Sequence, residues 1–377
     1  MKNGTFKTAL TASLFFFLSF IGLFYTTQFV FREISFILLI CVKLVLIGLS
    51  LVSLCVFFTL VVIRNTDLSS FIKNLTLFVC ASLATFLMLE AVFLFVPQSH
   101  TVGYTLAAQR WFDYYWQLEN SFRYRDQEYT EDQLIGKELV FVLGDSFVAG
   151  HGIKNIKDRF SDQLAQKLPQ KYAVLNLGFN GHDTRTEMYR LLTFPVKPNI
   201  LIMQYFGNDI DGVANHMSRP YEGFKPYFDL PVWLKPIVKN SYFLDFIYWQ
   251  FPHHDTQSYM DFAQNAYQDK NILTAHLSDL EYLIQWTKDN NIKMVFVIFP
   301  YLSNPQDSRF YTGVIGHYVR SRNIPVIDVE PLLEGLTIPQ RVINKNDLHP
   351  SPEVHRRVAT AIYQRLLEEH FIISNGR

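Results

Sequence analysis

Gly144-Asp145-Ser146 follows a short apolar run, residues 139–143, and contains a hydroxyl that could act as a nucleophile. An apolar run of this length that ends in glycine predicts a buried strand. A serine on the turn after such a strand lies at the carboxyl edge of an open α/β sheet, where these sheets place their ligands. Ser146 is therefore a candidate nucleophile, provided that another part of the chain supplies a base.

Asn346-Asp347-Leu348-His349-Pro350 offers that base near the other end of the chain. We interpret it as a loop immediately before the last predicted helix, from which it can return to the sheet edge that carries Ser146. His349 is the candidate general base. Asp347 is the candidate carboxylate that holds the imidazole in the correct tautomer.

Acyl transfer also requires hydrogen-bond donors aimed at the developing oxyanion. Gly181, in the loop after the second predicted strand, can bring a backbone N–H close to a ligand; Gly178 in the same loop is the alternative donor. Asn208, in Gly207-Asn208-Asp209 after the third predicted strand, offers a side-chain amide. Ordinary turns use the same residue types, so these loops indicate an oxyanion hole only in combination with Ser146 and His349.

The elements that must position these residues alternate along the second part of the chain. Apolar runs predict strands at 139–143, 173–177, 200–205, 294–299 and 326–329. Helical patterns lie at 158–168, 185–192, 272–289, 311–320 and 352–370. Such alternation predicts a parallel sheet with right-handed crossovers and helices on both of its faces.

Residues 212–270 interrupt this alternation with a stretch rich in proline and aromatic residues. The stretch is too long for a simple loop, so we expect an insertion with short helices of its own. It leaves the sheet just after the third strand. A lid, a substrate wall, a cap over apolar surface and a surface against the bilayer all stay open as roles.

The first 97 residues carry three segments long and apolar enough to span a bilayer, at about 10–31, 44–63 (with residue 34 as an alternative start) and 75–96. The first is too long for the apolar core of a signal peptide, and no clear cleavage site follows it. Lys2, Lys7, Arg64 and Lys73 outnumber Arg32 and Lys43 on the other side, which predicts a cytoplasmic amino terminus and an outside carboxyl-terminal part. We expect Lys43 to snorkel to the interface and assign no role to Glu90.

The charge and cysteine content of the chain limit the partners and cofactors that we expect. The formal net charge of the 377 residues is zero, so no overall field attracts nucleic acid, and we expect no nucleic-acid partner. The three cysteines all lie in the apolar first quarter, which leaves the remainder without a disulfide framework or a thiolate metal site. We expect neither a metal nor an organic cofactor. The oligomeric state stays open.

Taken together and in this order, the four blocks around Ser146, Gly181, Asn208 and His349 resemble the SGNH (GDSL-type) hydrolase superfamily. The resemblance covers residues 137–377. It implies a flavodoxin-like three-layer α/β sandwich with an open parallel sheet, Ser146 as nucleophile, His349 as base, and an oxyanion hole built from Ser146, Gly181 and Asn208. The commonest family pattern has its acid three residues before the histidine, where this chain has Asn346. We assign that role to Asp347, two residues before the histidine, and leave Asn346 as the alternative.

These features predict a transmembrane region at 1–97, an aromatic linker or collar at 98–136, and a hydrolase domain at 137–377 with the insertion at 212–270. The predicted function is that of a membrane-anchored serine esterase that cleaves O-acyl esters of a cell-envelope glycan or lipid through an acyl-enzyme. We expect it in the bacterial inner membrane, with the catalytic domain outside the cytoplasm. An O-acyltransferase for an envelope polysaccharide and a non-catalytic glycan-binding envelope protein are the alternatives. Three helices are too few to resemble the multi-helix membrane acyltransferase modules.

Overall fold

The computed structural model describes residues 3–29, 36–63, 69–116, 119–223, 225–253 and 258–373. They divide into two compact units. The helical unit comprises Met1–Gln98, Gly103–Tyr114 and Pro226–His253, and the sheet unit comprises Ser99–Val102, Tyr115–Lys225 and His254–Arg377. The domain limits drawn from the sequence stay a prediction.

Across both units, the described residues form the following α-helices and strands. In chain order, the helices are α1 (Asn3–Phe29), α2 (Phe36–Phe58), α3 (Ser70–Phe93), α4 (Leu106–Tyr115), α5 (Glu131–Leu134), α6 (Ser146–Ala149), α7 (Phe160–Lys167), α8 (Thr184–Leu192), α9 (Asp211–His216), α10 (Lys235–Val238), α11 (Tyr242–Tyr248), α12 (Tyr259–Gln268), α13 (Lys270–Asp289), α14 (Arg309–Arg320), α15 (Ile338–Arg341) and α16 (Pro352–Glu368). The strands are β1 (Glu138–Gly144), β2 (Tyr172–Gly178), β3 (Ile200–Tyr205), β4 (Lys293–Ile298), β5 (Val326–Asp328), β6 (Val342–Asn344) and β7 (Asp347–Pro350).

The helical unit contains α1, α2 and α3, whose apolar windows Lys7–Phe24, Leu38–Phe58 and Ser70–Phe93 are long enough to cross a membrane. The prediction of three such helices is confirmed. The predicted end of the first span, together with Lys2, Arg32 and Arg64, lies outside the described residues.

Lys43 does not snorkel as the sequence suggested. It is fully buried in α2, where its Nζ donates a hydrogen bond of 3.1 Å to the backbone oxygen of Asn240. Glu90 of α3 is also fully buried, and its Oε1 lies 3.8 Å from that Nζ. The expectation for Lys43 is wrong because part of the predicted insertion covers the lysine.

The sheet unit is built on a five-stranded parallel sheet in the order β2-β1-β3-β4-β5. This is the flavodoxin-like strand order, and it confirms the expected sandwich. Alternate residues of β1 enter the two opposite cores: Phe141 and Leu143 face one, and Val140 and Val142 face the other. Residues that follow β1, β2 and β3 consequently meet at one edge of three neighbouring strands.

The segment that carries His349 is a strand rather than the expected loop. β7 pairs antiparallel with β6, and Lys345 and Asn346 form the turn between them. Residues 99–101 brace this hairpin: the Thr101 N–H donates to the Asn346 backbone oxygen, and the Leu348 N–H donates to the Thr101 hydroxyl, each over 2.9 Å. The loop interpretation failed because the two strands are only three and four residues long.

Candidate active site

Ser146 begins α6, one residue after the end of β1, which lies between β2 and β3 in the sheet. Asp145 caps this short helix, since its Oδ1 accepts a hydrogen bond of 2.8 Å from the Phe147 N–H. The N–H of Asp145 itself donates to Oε1 of Gln204 in β3 over 3.0 Å. The turn is therefore fixed to both the helix and the neighbouring strand, and Ser146 is held in place at the sheet edge.

The structure brings Ser146, His349 and Asp347 into one hydrogen-bonded chain. The Ser146 Oγ lies 2.9 Å from Nε2 of His349, and the Nδ1 of that ring lies 2.6 Å from Oδ1 of Asp347. These distances allow the hydroxyl to donate to Nε2 while Nδ1–H donates to the carboxylate. All three side chains are buried.

Asp347 is the residue with the environment of an ionised carboxylate. Burial raises the pKa of Asp347, but the charge and hydrogen bond of His349, together with His151 and Ser99, hold that pKa well below its usual range. Its Oδ1 also accepts the backbone N–H of His349 over 3.2 Å. Asn346, the alternative, lies in the hairpin turn, where its own N–H donates to Oδ1 of Asn344 over 2.8 Å.

Asn208 lies half-buried in the 3₁₀ turn Gly207–Ile210 after β3. Asp209 fixes this turn: its carboxylate accepts the Phe206 N–H and the Thr184 hydroxyl, both over 2.7 Å. Burial raises the pKa of Asp145, and the amide of Asn208 is one of the groups that oppose this rise. The amide therefore lies close to the turn that carries Ser146.

Gly181 and Gly178 differ in what surrounds them. The N–H of Gly178 donates to Oδ1 of Asn176 over 3.0 Å, so that donor is already engaged. Gly181 has φ of +74° in an open turn, with nothing within 4 Å of the position that a Cβ would take. This difference favours Gly181 as the backbone donor.

His151 is a buried residue of the site that the sequence did not single out. Its ring stacks on that of His349, with centroids 4.2 Å apart and planes at 23°. Its Nε2 bonds to the His100 backbone oxygen over 3.0 Å, and its Nδ1 lies 3.1 Å from the amide nitrogen of Asn180. Burial is the main cause that lowers the pKa of His151 to about 3, so the ring is neutral near pH 7. Nothing in the spacing of eleven histidines marks this one.

Arg125, from the predicted aromatic collar, supports the loop that leads to His151. It is buried, and its guanidinium donates to the backbone oxygens of Gly150 and Ile153 over 2.6 and 2.7 Å. In the sequence, Arg125 is one of three arginines among the many aromatic residues of the collar. The sequence did not indicate that Arg110 and Arg125 are buried and Arg123 is exposed.

His151, Asp347 and His349 bring their nitrogen and oxygen atoms within 4.8 Å of one another, close enough to suggest a metal site. Both ring nitrogens of each histidine already have a hydrogen-bond partner. The rings are also nearly parallel, and a metal must lie roughly in the plane of each ligating imidazole, about 2 Å from its nitrogen. Two stacked rings cannot both meet that condition, so this arrangement fits an acid–base site better than a metal site.

A serine hydroxyl, an imidazole and a carboxylate joined in series at the carboxyl edge of a parallel sheet are typical of serine hydrolases. A family model described as the GDSL-like lipase/acylhydrolase family matches residues 142–357. The match includes more than half of the chain and all the candidate site residues. The chain belongs to this family, and it is a serine hydrolase.

Solved structures of similar proteins have low sequence identity to the chain. A lipase/acylhydrolase from Enterococcus faecalis is 14% identical, covers 64% of this chain and 100% of its own, and has a TM-score of 0.39. A psychrotrophic esterase from Pseudoalteromonas sp. is 13% identical, with coverages of 62% and 100% and a TM-score of 0.36. A carbohydrate acetylesterase family member from Sinorhizobium meliloti is 13% identical, with coverages of 61% and 98% and a TM-score of 0.37. The comparison with curated proteins gives no match.

Proposed function

We propose that this chain is a membrane-anchored esterase that hydrolyses O-acyl esters of a cell-envelope glycan or lipid through an acyl-enzyme. The observation that supports this proposal is the series of contacts from the Ser146 hydroxyl through His349 to Asp347, at 2.9 and 2.6 Å. The three apolar helices support attachment to the membrane. In this proposal the catalytic part lies outside the cytoplasm of a bacterial cell.

The proposed reaction has two halves. His349 takes the proton of Ser146 as Oγ attacks the ester carbonyl, and Asp347 stabilises the imidazolium that forms. His349 then gives that proton to the departing alcohol. Water next attacks the acyl-serine, again with His349 as base, which releases the acid and restores Ser146. The N–H groups of Ser146 and Gly181 and the side-chain amide of Asn208 stabilise the oxyanion in both halves.

A fluorophosphonate probe tests the nucleophile, because it reacts with an activated serine. Detergent-purified protein is expected to be labelled at Ser146, and Ser146→Ala is expected to lose the label while keeping the same circular-dichroism spectrum. Folded wild-type protein that takes no label would contradict the proposal and favour a glycan-binding role. A panel of acylated glycans and lipids, assayed with the labelling-competent protein, then identifies the ester that is hydrolysed.

The proposed orientation of the chain in the membrane is tested by a separate experiment. A reporter that is active only outside the cytoplasm, fused to the carboxyl terminus, is expected to be active in cells. Activity of a cytoplasm-specific reporter at the same position would contradict the proposed orientation.

A further inference from the structure

Pro226–His253, called here the returning segment, lies between β3 and β4 in sequence but belongs to the helical unit. It includes α10 and α11. The segment therefore shares a compact unit with three helices that are long and apolar enough to span a membrane. Its contacts with those helices show how it is held there.

Glu90 of α3 anchors the first turn of α11. Its two carboxylate oxygens accept the Ser241 hydroxyl over 2.7 Å, the Tyr242 N–H over 2.9 Å and the Phe243 N–H over 3.1 Å. The amino end of a helix presents unpaired N–H groups and the positive end of the helix dipole, so a carboxylate stabilises it. A residue of a membrane-length helix thus caps a helix of the returning segment.

Lys43 of α2 completes this anchor. Both Lys43 and Glu90 have 0% of their side-chain surface exposed. The Nζ of Lys43 donates to the Asn240 backbone oxygen and lies 4.9 Å from the centre of the Tyr242 ring. Charged side chains within apolar spans are costly unless they are paired and hydrogen-bonded. The returning segment supplies the polar groups that make this buried pair tolerable.

The returning segment and the spans also share one apolar surface. A groove of about 710 Å³ is lined by Phe17 and Phe20 of α1, Phe86 of α3, and Pro236, Ile237 and Leu244 of the segment, among others. The apolar faces of α1 and α3 therefore continue directly onto the segment. In a bilayer, the solvent for such a surface is lipid.

Just before Pro236 the returning segment exposes two large apolar side chains: 84% of Val232 and 70% of Trp233 are accessible. Lys235 and Lys239 follow closely in sequence. Tryptophan favours the boundary between headgroups and acyl chains, and lysine can extend its ammonium group to the headgroups. This combination is typical of an element that lies in the membrane interface.

We propose that the returning segment is a fourth membrane-contacting element, with Val232 and Trp233 seated in the interface of the bilayer that α1–α3 cross. The proposal rests on the membrane location stated under the proposed function. It assigns the buried Lys43–Glu90 pair the role of holding this element against the spans. The ligand is the lipid interface itself.

Site-directed spin labelling in lipid nanodiscs of phosphatidylcholine and phosphatidylglycerol tests the proposal. Single labels are placed at Trp233→Cys and at Tyr282→Cys in α13, each with Cys41, Cys55 and Cys80 replaced by alanine. A third label is placed at the native Cys55 in α2, with only Cys41 and Cys80 replaced by alanine. Cys55 and Tyr282 are both exposed. Collision rates with oxygen, which enters lipid, and with a water-soluble nickel chelate report the depth of each label. We expect the label at 233 to favour oxygen at least threefold more than the label at 282.

Two results would overturn the proposal, and they can be told apart. If the label at 55 reports lipid while the label at 233 matches the one at 282, the interfacial element is wrong and the membrane spans stand. If the label at 55 also reports water, the proposed membrane location fails together with the inference.

Glu90→Gln, measured with the label at 233, tests the anchor separately. The glutamine loses the charge that caps α11, so the label is expected to become more mobile and to collide less with oxygen. Thr85→Val is the matched control, because Thr85 is an exposed residue of α3 whose hydroxyl bonds within its own helix. An unchanged spectrum in Glu90→Gln would contradict the role of the Lys43–Glu90 pair.

Discussion

Strand alternation explains why Asp347, and not Asn346, lies against the imidazole. Residues two apart in a strand project to the same face, so Asp347 and His349 of β7 point together into the site. Leu348 between them is exposed. The departure from the commonest spacing, noted in the sequence, is thus accommodated by a strand that replaces the expected loop.

Asp347→Asn is expected to lower kcat/KM by a factor on the order of 10³ to 10⁴, because the amide can stabilise the wrong tautomer and cannot neutralise the imidazolium. Asn346→Ala is the matched control and is expected to stay within about threefold of wild type, since Asn346 lies in the hairpin turn and bonds to Asn344 and Thr101 through its backbone. Ester hydrolysis by both purified variants is the measurement. Equal losses in the two variants would remove Asp347 from its proposed role.

His151 joins the base to the loop that carries the candidate backbone donor, because its ring stacks on His349 and bonds to Asn180, next to Gly181. We expect His151→Ala to lower kcat by about 10- to 100-fold with little change in KM, since small misplacements of catalytic groups cost rate rather than binding. His151→Phe keeps the stack but loses the bond to Asn180, and an intermediate loss is expected.

Steady-state kinetics on both variants, with exposed His317→Ala as the control, check this prediction. A change in KM alone, with kcat preserved, would show that His151 contacts substrate rather than positioning the base.

At the scale of elements, the packing of α6 on β2 depends on Gly178. A Cβ at this position would press into the backbone of Val148 and Ala149 in α6. Gly178→Ala is therefore expected to displace the helix that begins with Ser146, and to lower both kcat and the free energy of unfolding, the latter by about 1–3 kcal/mol.

Gly181→Ala is the matched comparison. It meets no neighbour, but its φ of +74° costs an alanine about 1–2 kcal/mol. Its backbone N–H is kept, so kcat is expected to stay near wild type while stability falls. Melting temperature and kcat of the two variants separate these effects. A loss of kcat in Gly181→Ala as large as in Gly178→Ala would show that loop geometry, not helix packing, controls Ser146.

The elements that the sequence predicted well are those with a strong local pattern. Apolar runs placed β1 to β5 within one residue of their observed bounds, and the turn after β1 placed Ser146. The β6–β7 hairpin was missed because its strands are too short to show alternation. The stack of His151 on His349 joins residues that are far apart in the chain, so no local pattern could reveal it.

The contacts of the returning segment also join distant parts of the chain, so local sequence patterns could not reveal them. The length of residues 212–270 and their proline and aromatic content indicated an insertion with short helices, and the returning segment contains the short helices α10 and α11. Lys43 and Glu90, which bond to this segment, stand in the sequence only as isolated charges in apolar stretches. Chain order and spatial order therefore differ, because both units are assembled from separated stretches.

At the scale of the whole molecule, we expect buried neutral histidines to make the protein less stable at acidic pH. His355 of α16 is fully buried, and its Nδ1 accepts the Phe160 N–H over 3.1 Å. Burial is the first cause, and the charge of Arg159 the second, that lower the pKa of His355 from 6.5 to about 3. Between these two values the unfolded chain binds a proton at this position and the folded chain does not. The stability contributed by His355 is therefore complete above about pH 6.5 and is lost as the pH falls toward 3.

His355→Asn removes the titrating ring but keeps an oxygen that can accept the Phe160 N–H. Wild type is expected to be the more stable of the two at pH 7, because the smaller side chain leaves a cavity. Between pH 6.5 and pH 5, the free energy of unfolding is expected to fall by about 2 kcal/mol more in wild type than in the variant. Each pKa unit corresponds to about 1.4 kcal/mol. Other titrating groups are common to both proteins and cancel in the difference. The free energy of unfolding of both proteins is measured by denaturant unfolding in detergent, followed by near-ultraviolet circular dichroism at both pH values. Parallel pH dependences would show that His355 is already protonated in the folded protein, or that the unfolded chain binds no extra proton there.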